Sequence, residues 1–356
     1  MTTPMDTPAT ENPEPAAATG ESAPAEAVVP EMERRRRRKL LLLLLLLLAF
    51  LLLLAVAVWY LLFRQPFNPI PNVPGKVTLP TYSTSIYGAS RPLGVAVLDD
   101  GSKIFIGETD GDRIAKAFDG AGALLGLLQP PQSTGTDHVP VYLARDPLTG
   151  EIYVSDRTKG TIYIYNTNGD YQREYTAPQS LKGWQPLGLA FDKAGNLYAT
   201  NLGTSPQSVN EIGRDGQLVR TFGEAEGLSF PNGVAVDNNG NVYVTDSNNG
   251  RLLVYSSDGA LQAQVGRGAS TGNLGLPRGV VITSKDQVLI ADSTGQNIVA
   301  YGLLKAGEHR LEFFGSFGTE GAGDGQFEYP NGLTVDGRGR VYVVDSGNDR
   351  VQVWSY

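Results

Sequence analysis

The most regular chemically competent residues in this sequence are acids that recur at intervals of 45 to 53 residues. The set is Glu108, Asp156, Asp246, Asp292 and Asp345, with Asn201 at the equivalent place in one copy. Oxygen ligands of this kind could hold a hard cation such as Ca²⁺. An aspartate repeated in copy after copy is also typical of a turn cap that accepts backbone N–H bonds, and the regularity favours this second interpretation.

Composition excludes several other chemistries. The 356 residues include no cysteine, so disulfides, thiolate ligands and a cysteine nucleophile are absent. The two histidines, His138 and His309, are too few for a three-histidine zinc site. The formal net charge is −8, and the one dense basic run extends from Arg34 to Lys39. We therefore expect no nucleic-acid partner.

Short apolar runs bounded by Gly, Asn and Asp position these acids, and such runs predict strands joined by tight turns. Each copy of the pattern starts at a proline, and successive starts are 48, 46, 45, 46 and 53 residues apart. The starts are Pro92, Pro140, Pro186, Pro231, Pro277 and Pro330. Six copies with about four strands each predict an all-β fold, a six-bladed β-propeller of four-stranded antiparallel blades.

The last copy ends after its third strand, whereas the segment before the first copy, residues 76–87, is a strand without a blade. We predict that this N-terminal strand completes the sixth blade and closes the ring, which leaves no long free edge. The propeller is thus expected to occupy residues 76–356.

The N-terminal part predicts a membrane anchor. Residues 1–39 are expected to form a disordered cytoplasmic tail that ends in the basic run. A charge-free run begins at Leu40 and ends at Phe63. Its 24 residues would span about 36 Å as a helix, enough for one transmembrane crossing. The flanking cations place the N-terminus in the cytoplasm and the propeller outside. A cleaved signal peptide is the competing interpretation. Residues 64–75 form a proline-rich linker.

The copies resemble NHL repeats. The copy at Pro231 reads Pro-Asn-Gly-Val-Ala-Val-Asp, then Val-Tyr-Val-Thr-Asp and Arg-Leu-Leu-Val-Tyr, and a glycine-rich lead precedes Pro330-Asn-Gly. Copies four and six match well. Copy two departs from the pattern, since it reads Pro140-Val-Tyr without the glycine. The resemblance implies a six-bladed propeller that binds proteins or other ligands through one face.

In such a fold we expect functional residues where the repeat is broken, next to each Pro-x-Gly turn and near the mouth of the central channel. The candidates for binding a protein partner or small ligand are Arg91, Gln185, Asn232, Arg278 and Asn331. Lactonases are enzymatic six-bladed relatives, and that alternative would need a channel Ca²⁺ held by Glu108, Asn201 and Asn232. No other cofactor is expected.

Three functional hypotheses remain. The favoured one is a non-catalytic binding scaffold in a cell-envelope complex, held in the cell membrane by a single pass and displayed outside. The second is a propeller hydrolase of the lactonase type. The third is a sensor, which ranks lower because the predicted cytoplasmic part is too short to hold a catalytic domain.

Overall fold

The structure is a computed structural model that describes residues 31–63, 77–131, 138–266 and 272–356. The chain divides after Phe63 into two compact units. Residues 1–30 of the expected tail and the expected linker at 64–75 lie outside the described residues.

The first unit contains one helix, α1 (Glu31–Phe63). Its Arg35–Val56 segment is long and apolar enough to cross a membrane. The helix begins nine residues before the charge-free run, so residues 31–39, which we expected in the disordered tail, lie in α1. Arg, Lys, Glu and Met are good helix formers, and they extend the helix at little energetic cost.

The second unit is a six-bladed β-propeller of four-stranded antiparallel sheets, as predicted. Blade one contains β2 (Pro92–Val97), β3 (Lys103–Glu108), β4 (Ala115–Asp119) and β5 (Leu124–Leu128). Blade two contains β6 (Pro140–Arg145), β7 (Ile152–Asp156), β8 (Thr161–Tyr165) and β9 (Tyr171–Glu174). Blade three contains β10 (Pro186–Phe191), β11 (Leu197–Asn201), β12 (Ser208–Ile212) and β13 (Leu218–Phe222).

Blade four contains β14 (Pro231–Val236), β15 (Val242–Asp246), β16 (Arg251–Tyr255) and β17 (Leu261–Gly266). Blade five contains β18 (Pro277–Ile282), β19 (Gln287–Asp292), β20 (Asn297–Gly302) and β21 (Phe313–Phe317). A short parallel pair, β22 (Thr319–Glu320) and β23 (Gln326–Phe327), precedes blade six. Blade six contains β24 (Pro330–Val335), β25 (Val341–Asp345), β26 (Arg350–Ser355) and, as its outer strand, β1 (Thr81–Tyr87).

The first strand of the propeller closes the ring, as predicted. β1 pairs antiparallel with β26, from Thr81 opposite Ser355 to Tyr87 opposite Arg350. Ile86 is buried in the cluster between blades six and one. The Tyr82 hydroxyl donates to Asp324 at 2.9 Å, and burial raises the pKa of Tyr82 to about 12.

Tight packing between inner strands explains the Pro-x-Gly pattern. A Cβ built on Gly188 would lie 2.0 Å from the Asn232 carbonyl oxygen of the next blade, and one on Gly94 would lie 2.3 Å from that of Val141. Only glycine lets the inner strands approach this closely. Five blades begin with Pro-x-Gly and blade two begins with Pro140-Val-Tyr, and these six starts meet at one end of the central channel.

Candidate functional site at the channel mouth

The recurring acids cap turns within their own blades, as the repetition predicted. Asp246 accepts the Ser229 backbone N–H at 2.7 Å and pairs with Arg251 at 2.8 Å. Asp345 pairs with Arg350 at 2.8 Å, and both side chains are buried. A carboxylate with these partners is fixed by its own blade, which is a structural role.

In blades four, five and six, the serine after the acid joins its blade to the next. Ser293 Oγ donates to the Pro330 carbonyl at 2.5 Å, and Ser247 makes the same bond to Pro277. Ser346 bonds to Pro92, so this tie also crosses the junction where the ring closes. The Asp-Ser pair of the repeat therefore fixes a turn and a neighbouring blade together.

The alternative calcium ligands are engaged in comparable local bonds. Glu108 accepts the backbone N–H groups of Ser90 and Asp112, each at 2.8 Å, and pairs with Lys116 at 2.7 Å. Asn201 Oδ1 accepts two backbone N–H groups at 2.9 and 3.1 Å. The described part of the chain holds no group of three or more His, Asp or Glu residues placed to bind a metal ion. Since their oxygens already accept protein donors, these residues do not fit a shared Ca²⁺ site, and we derive no chemistry through one.

One tyrosine crosses the central channel. Tyr142 of blade two stands where other blades have the glycine of Pro-x-Gly, and its hydroxyl lies 2.5 Å from Asn232 Oδ1 and 2.7 Å from Asn331 Oδ1. These asparagines belong to blades four and six, so the side chain bridges the channel. Beneath it, the channel narrows to a cavity of about 30 Å³, lined largely by Val, Leu and Gly. That volume holds one water molecule at most.

The tyrosine hydroxyl remains protonated at physiological pH. Burial raises the pKa of Tyr142 well above its ordinary value, against the opposing influence of the Arg278 charge. A hydroxyl has one proton and can donate to only one amide oxygen, so the other asparagine is satisfied when its amide nitrogen turns towards the tyrosine. The plug is thus a neutral hydrogen-bonded bridge.

A groove of about 490 Å³ opens above this plug. It brings together three predicted candidates from blades one, five and six: Arg91, Arg278 and Asn331. The Nε atom of Arg278 is buried and has no hydrogen-bond partner in the described structure. A fourth candidate, Asn232, lies below the groove against Tyr142. The fifth, Gln185, lines a separate groove of about 270 Å³.

Three residues of the mouth adopt left-handed backbone conformations directly before the proline of their blade. Arg91, Phe230 and Tyr329 have φ values of 43°, 56° and 52°. Each backbone N–H is held by a side-chain oxygen from the preceding blade, at 2.6 to 2.7 Å: Asp349, Gln207 and Gln296 respectively. Such conformations are costly for residues with a side chain and cluster at functional sites.

An aromatic ring separates the two grooves. Phe230 has the guanidinium of Arg157 5.8 Å from its ring centre and that of Arg278 at 6.0 Å. These are cation–π distances. The boundary between the two grooves is therefore formed by the Phe230 ring, with one guanidinium group near it on the side of each groove.

Sequence reasoning did not assign Tyr142, Phe230 or Tyr329 to the mouth. The signal for Tyr142 was present, because Pro140-Val-Tyr is the copy that lacks the glycine. No pattern in the sequence marks the left-handed backbone of Phe230 and Tyr329, since it is imposed by acceptors from neighbouring blades.

Neither histidine lies among the residues described above as lining the mouth grooves. His138 is buried, and its Nδ1 lies 2.7 Å from Asp156 Oδ2. Blade two has Thr161 where blades four and six have the arginine that pairs with the recurring acid. The histidine thus partners the acid in that blade. His309 Nδ1 lies 3.0 Å from the Gln262 carbonyl.

Comparisons with known proteins agree with this architecture. The NHL repeat model matches residues 228–255 and 327–354, which include most of blades four and six. NHL repeat-containing protein 3 of Mus musculus is 26% identical over 222 residues, covering 60% of this chain and 50% of that protein. Protein brain tumor of Drosophila melanogaster is 28% identical over 137 residues, covering 37% of this chain and 12% of that protein. The chain spans half or less of the length of these curated relatives.

Solved structures share the fold. Virginiamycin B lyase from Staphylococcus aureus superposes with a TM-score of 0.53 and 14% identity, covering 77% of this chain and 98% of that chain. A protein of unknown function from Bacteroides caccae has a TM-score of 0.50 and 16% identity, covering 68% of this chain and 82% of that chain. At such identities the likeness establishes a common architecture only.

Proposed function

Because this chain is a six-bladed propeller that carries NHL repeats, we propose that it is a non-catalytic binding module that engages a protein partner or small ligand through its channel-mouth face. The observation that carries the proposal is the Tyr142 bridge with the open groove above it. The bridge closes the channel to through passage, so a ligand has access from the mouth.

The mouth also has the features of a recognition surface. Arg91 and Tyr329 are exposed, and their left-handed backbones are held by partners from the adjacent blade. Side chains fixed on strained, well-supported backbone lose little conformational entropy on binding. Arginine and tyrosine are also enriched among residues that dominate binding energy.

A membrane tether belongs to the same proposal. Helix α1 supplies a segment of sufficient length and apolar character, and the basic run lies in the N-terminal part of this helix. With the N-terminus in the cytoplasm, the propeller would face the outside as part of a cell-envelope complex. A signal peptide would instead release the propeller, and the length of the mature chain distinguishes the two cases.

The topology is tested by adding protease outside intact cells that express the full chain with an N-terminal epitope tag. We expect the propeller to be degraded while a tagged fragment that contains α1 is protected. Protection of the whole chain would contradict the orientation. A mature protein that lacks the tag and residues 1–39 would contradict the tether.

The binding role is tested by cross-linking the full chain in native membranes and quantifying co-purified proteins and small molecules. Arg91→Glu changes the mouth, whereas Arg310→Glu makes the same charge change in the connection from β20 to β21. That connection lies at the opposite end of the blade, since antiparallel strands alternate direction. We expect Arg91→Glu alone to reduce enrichment of the bound species. Equal effects of the two variants would refute the mouth as the binding face.

A further inference from the structure

The two halves of the channel mouth differ in polarity. The variable residue of Pro-x-Gly is apolar in blades one to three and polar in blades four to six. The apolar residues are Leu93, Val141 and Leu187, and the polar ones are Asn232, Arg278 and Asn331. Val141 and Leu187 form a buried cluster with Tyr142, and Leu93 packs against it. The groove above the plug therefore has Arg278 and Asn331 of the polar set on one side and Leu93 of the apolar set on the other.

The groove is also locally cationic. Arg91, Arg113 and Arg278 line it, and Asp110 is the one carboxylate among its described lining residues. Asp349 lies close by, with one carboxylate oxygen 2.6 Å from the Arg91 backbone nitrogen that donates to it. A surplus of arginine at one site contrasts with the net charge of −8 of the chain. A concave site with an excess of one sign of charge attracts ligands of the opposite sign.

Arg278 is the residue of this groove with a buried donor that has no partner among the described residues. The donor is its Nε atom, although its guanidinium lies over the Phe230 ring. Leaving a buried charged donor unpaired is unfavourable, and an anion that pairs with the guanidinium from the groove would compensate its positive charge. The adjacent Asn331 side chain lines the same groove and offers an amide.

We infer that this groove binds a small organic anion, a carboxylate or phosphate attached to an apolar or aromatic body. Arg278 anchors the anionic group, with Arg91 contributing from the rim, while Leu93 and the exposed Tyr329 contact the apolar body. A volume of about 490 Å³ is in the range of small-molecule sites. The inference rests on the proposed role of the mouth as the binding face and adds the chemical class of the ligand.

The test uses the full chain in detergent micelles and three fluorinated probes of matched size. These are 4-fluorobenzoate, 4-fluorophenyl phosphate and the neutral 4-fluorobenzamide, and their binding is measured by fluorine NMR titration with protein-free micelles as the blank. The benzoate and phosphate probes distinguish the two anionic groups, and the amide measures binding of the ring alone.

We expect at least one anionic probe to bind about tenfold more tightly than the amide, since a charge-assisted hydrogen bond contributes that much. Arg278→Gln should remove this difference. Arg91→Gln, at an exposed and well-screened position, should weaken binding about threefold. Arg310→Gln, on the opposite face, should leave binding unchanged.

Equal binding of the amide and both anionic probes overturns the inference, as does tight anion binding that persists in both Arg278→Gln and Arg91→Gln. The second variant keeps the test decisive if Arg278→Gln fails to fold, which is checked by its melting curve. If the probes fail to bind as expected but Arg91→Glu still reduces enrichment of the bound species, the proposed binding module is retained. Loss of that effect removes the proposed function itself.

Discussion

Replacing Tyr142 with phenylalanine removes one oxygen atom from the channel plug and leaves the ring in place. The wild-type hydroxyl lies 2.5 and 2.7 Å from two amide oxygens of blades four and six. Water can reach the half-buried Asn331, but Asn232 is only 3% exposed and has no other side-chain bond among the described residues. One orphaned buried amide costs about 1–3 kcal/mol. We therefore expect Tyr142→Phe to destabilise the propeller by about 2 kcal/mol.

The assay is equilibrium unfolding of the full chain in detergent, followed by tryptophan fluorescence. The propeller contains Trp184 and the buried Trp354, which report on blades three and six. For a propeller that extends from residue 77 to residue 356, about 2 kcal/mol corresponds to a melting temperature lower by roughly 3–4 °C. The single variant is compared with Asn232→Ala and with the double variant.

The double-mutant cycle tests the physical reason. Once Asn232 is alanine, the only amide left at the hydroxyl is that of Asn331, which water can reach, so Tyr142→Phe should cost less in that background by about 1 kcal/mol or more. Strictly additive effects would refute the bridge. A phenylalanine variant as stable as the wild type would refute it as well, provided that its fluorescence spectrum shows a native fold.

Three further predictions concern the ring and its buried charges. Ile86→Ala in β1 should lower stability by about 2–5 kcal/mol in a urea titration, whereas the exposed Thr84→Ala should change it little; equal small effects would argue against closure by β1. The pKa of Tyr82 is raised from 10.0 to about 12 in the folded protein, so unfolding releases its proton between these pH values. Stability should therefore fall between about pH 10 and 12. Tyr82→Phe should flatten that fall in alkaline melting curves, and an unchanged slope would contradict it. Arg350→Gln should lower the free energy of unfolding by about 3–5 kcal/mol in thermal melting, because its partner Asp345 stays buried without the ion pair. Arg251→Gln should cost less, because the Arg251 side chain is 21% exposed. The reverse order would contradict the argument from burial.

The fold was predictable from the sequence because the blades repeat one short sequence pattern. Proline fixes the start of the inner strand, glycine permits close approach to the next blade, and Asp-Ser fixes a turn. Even the closure strand could be predicted, since the last copy lacks one strand and the first is preceded by one. The start of α1 at Glu31 was not predicted, because the charge pattern defines the apolar span and does not mark where the helix begins.

The candidate site was only partly predictable. Position within the repeat placed Arg91, Arg278 and Asn331 near the mouth, and the structure brings these three into one groove. It places Gln185 in another groove and Asn232 beneath the plug. Sequence position gives the blade and the turn on which a residue lies. It does not give the direction of the side chain, which depends on neighbours from other blades.

The sequence by itself determined the blade number, the strand that closes the ring and the apolar N-terminal helix, since all three follow from local periodicity and composition. The tertiary structure decided that Tyr142 closes the channel and that Arg278 faces a groove with a buried, unpaired Nε atom. Both depend on contacts between residues far apart in the chain, such as the 189-residue separation between Tyr142 and Asn331. Only closure of the ring brings such residues together.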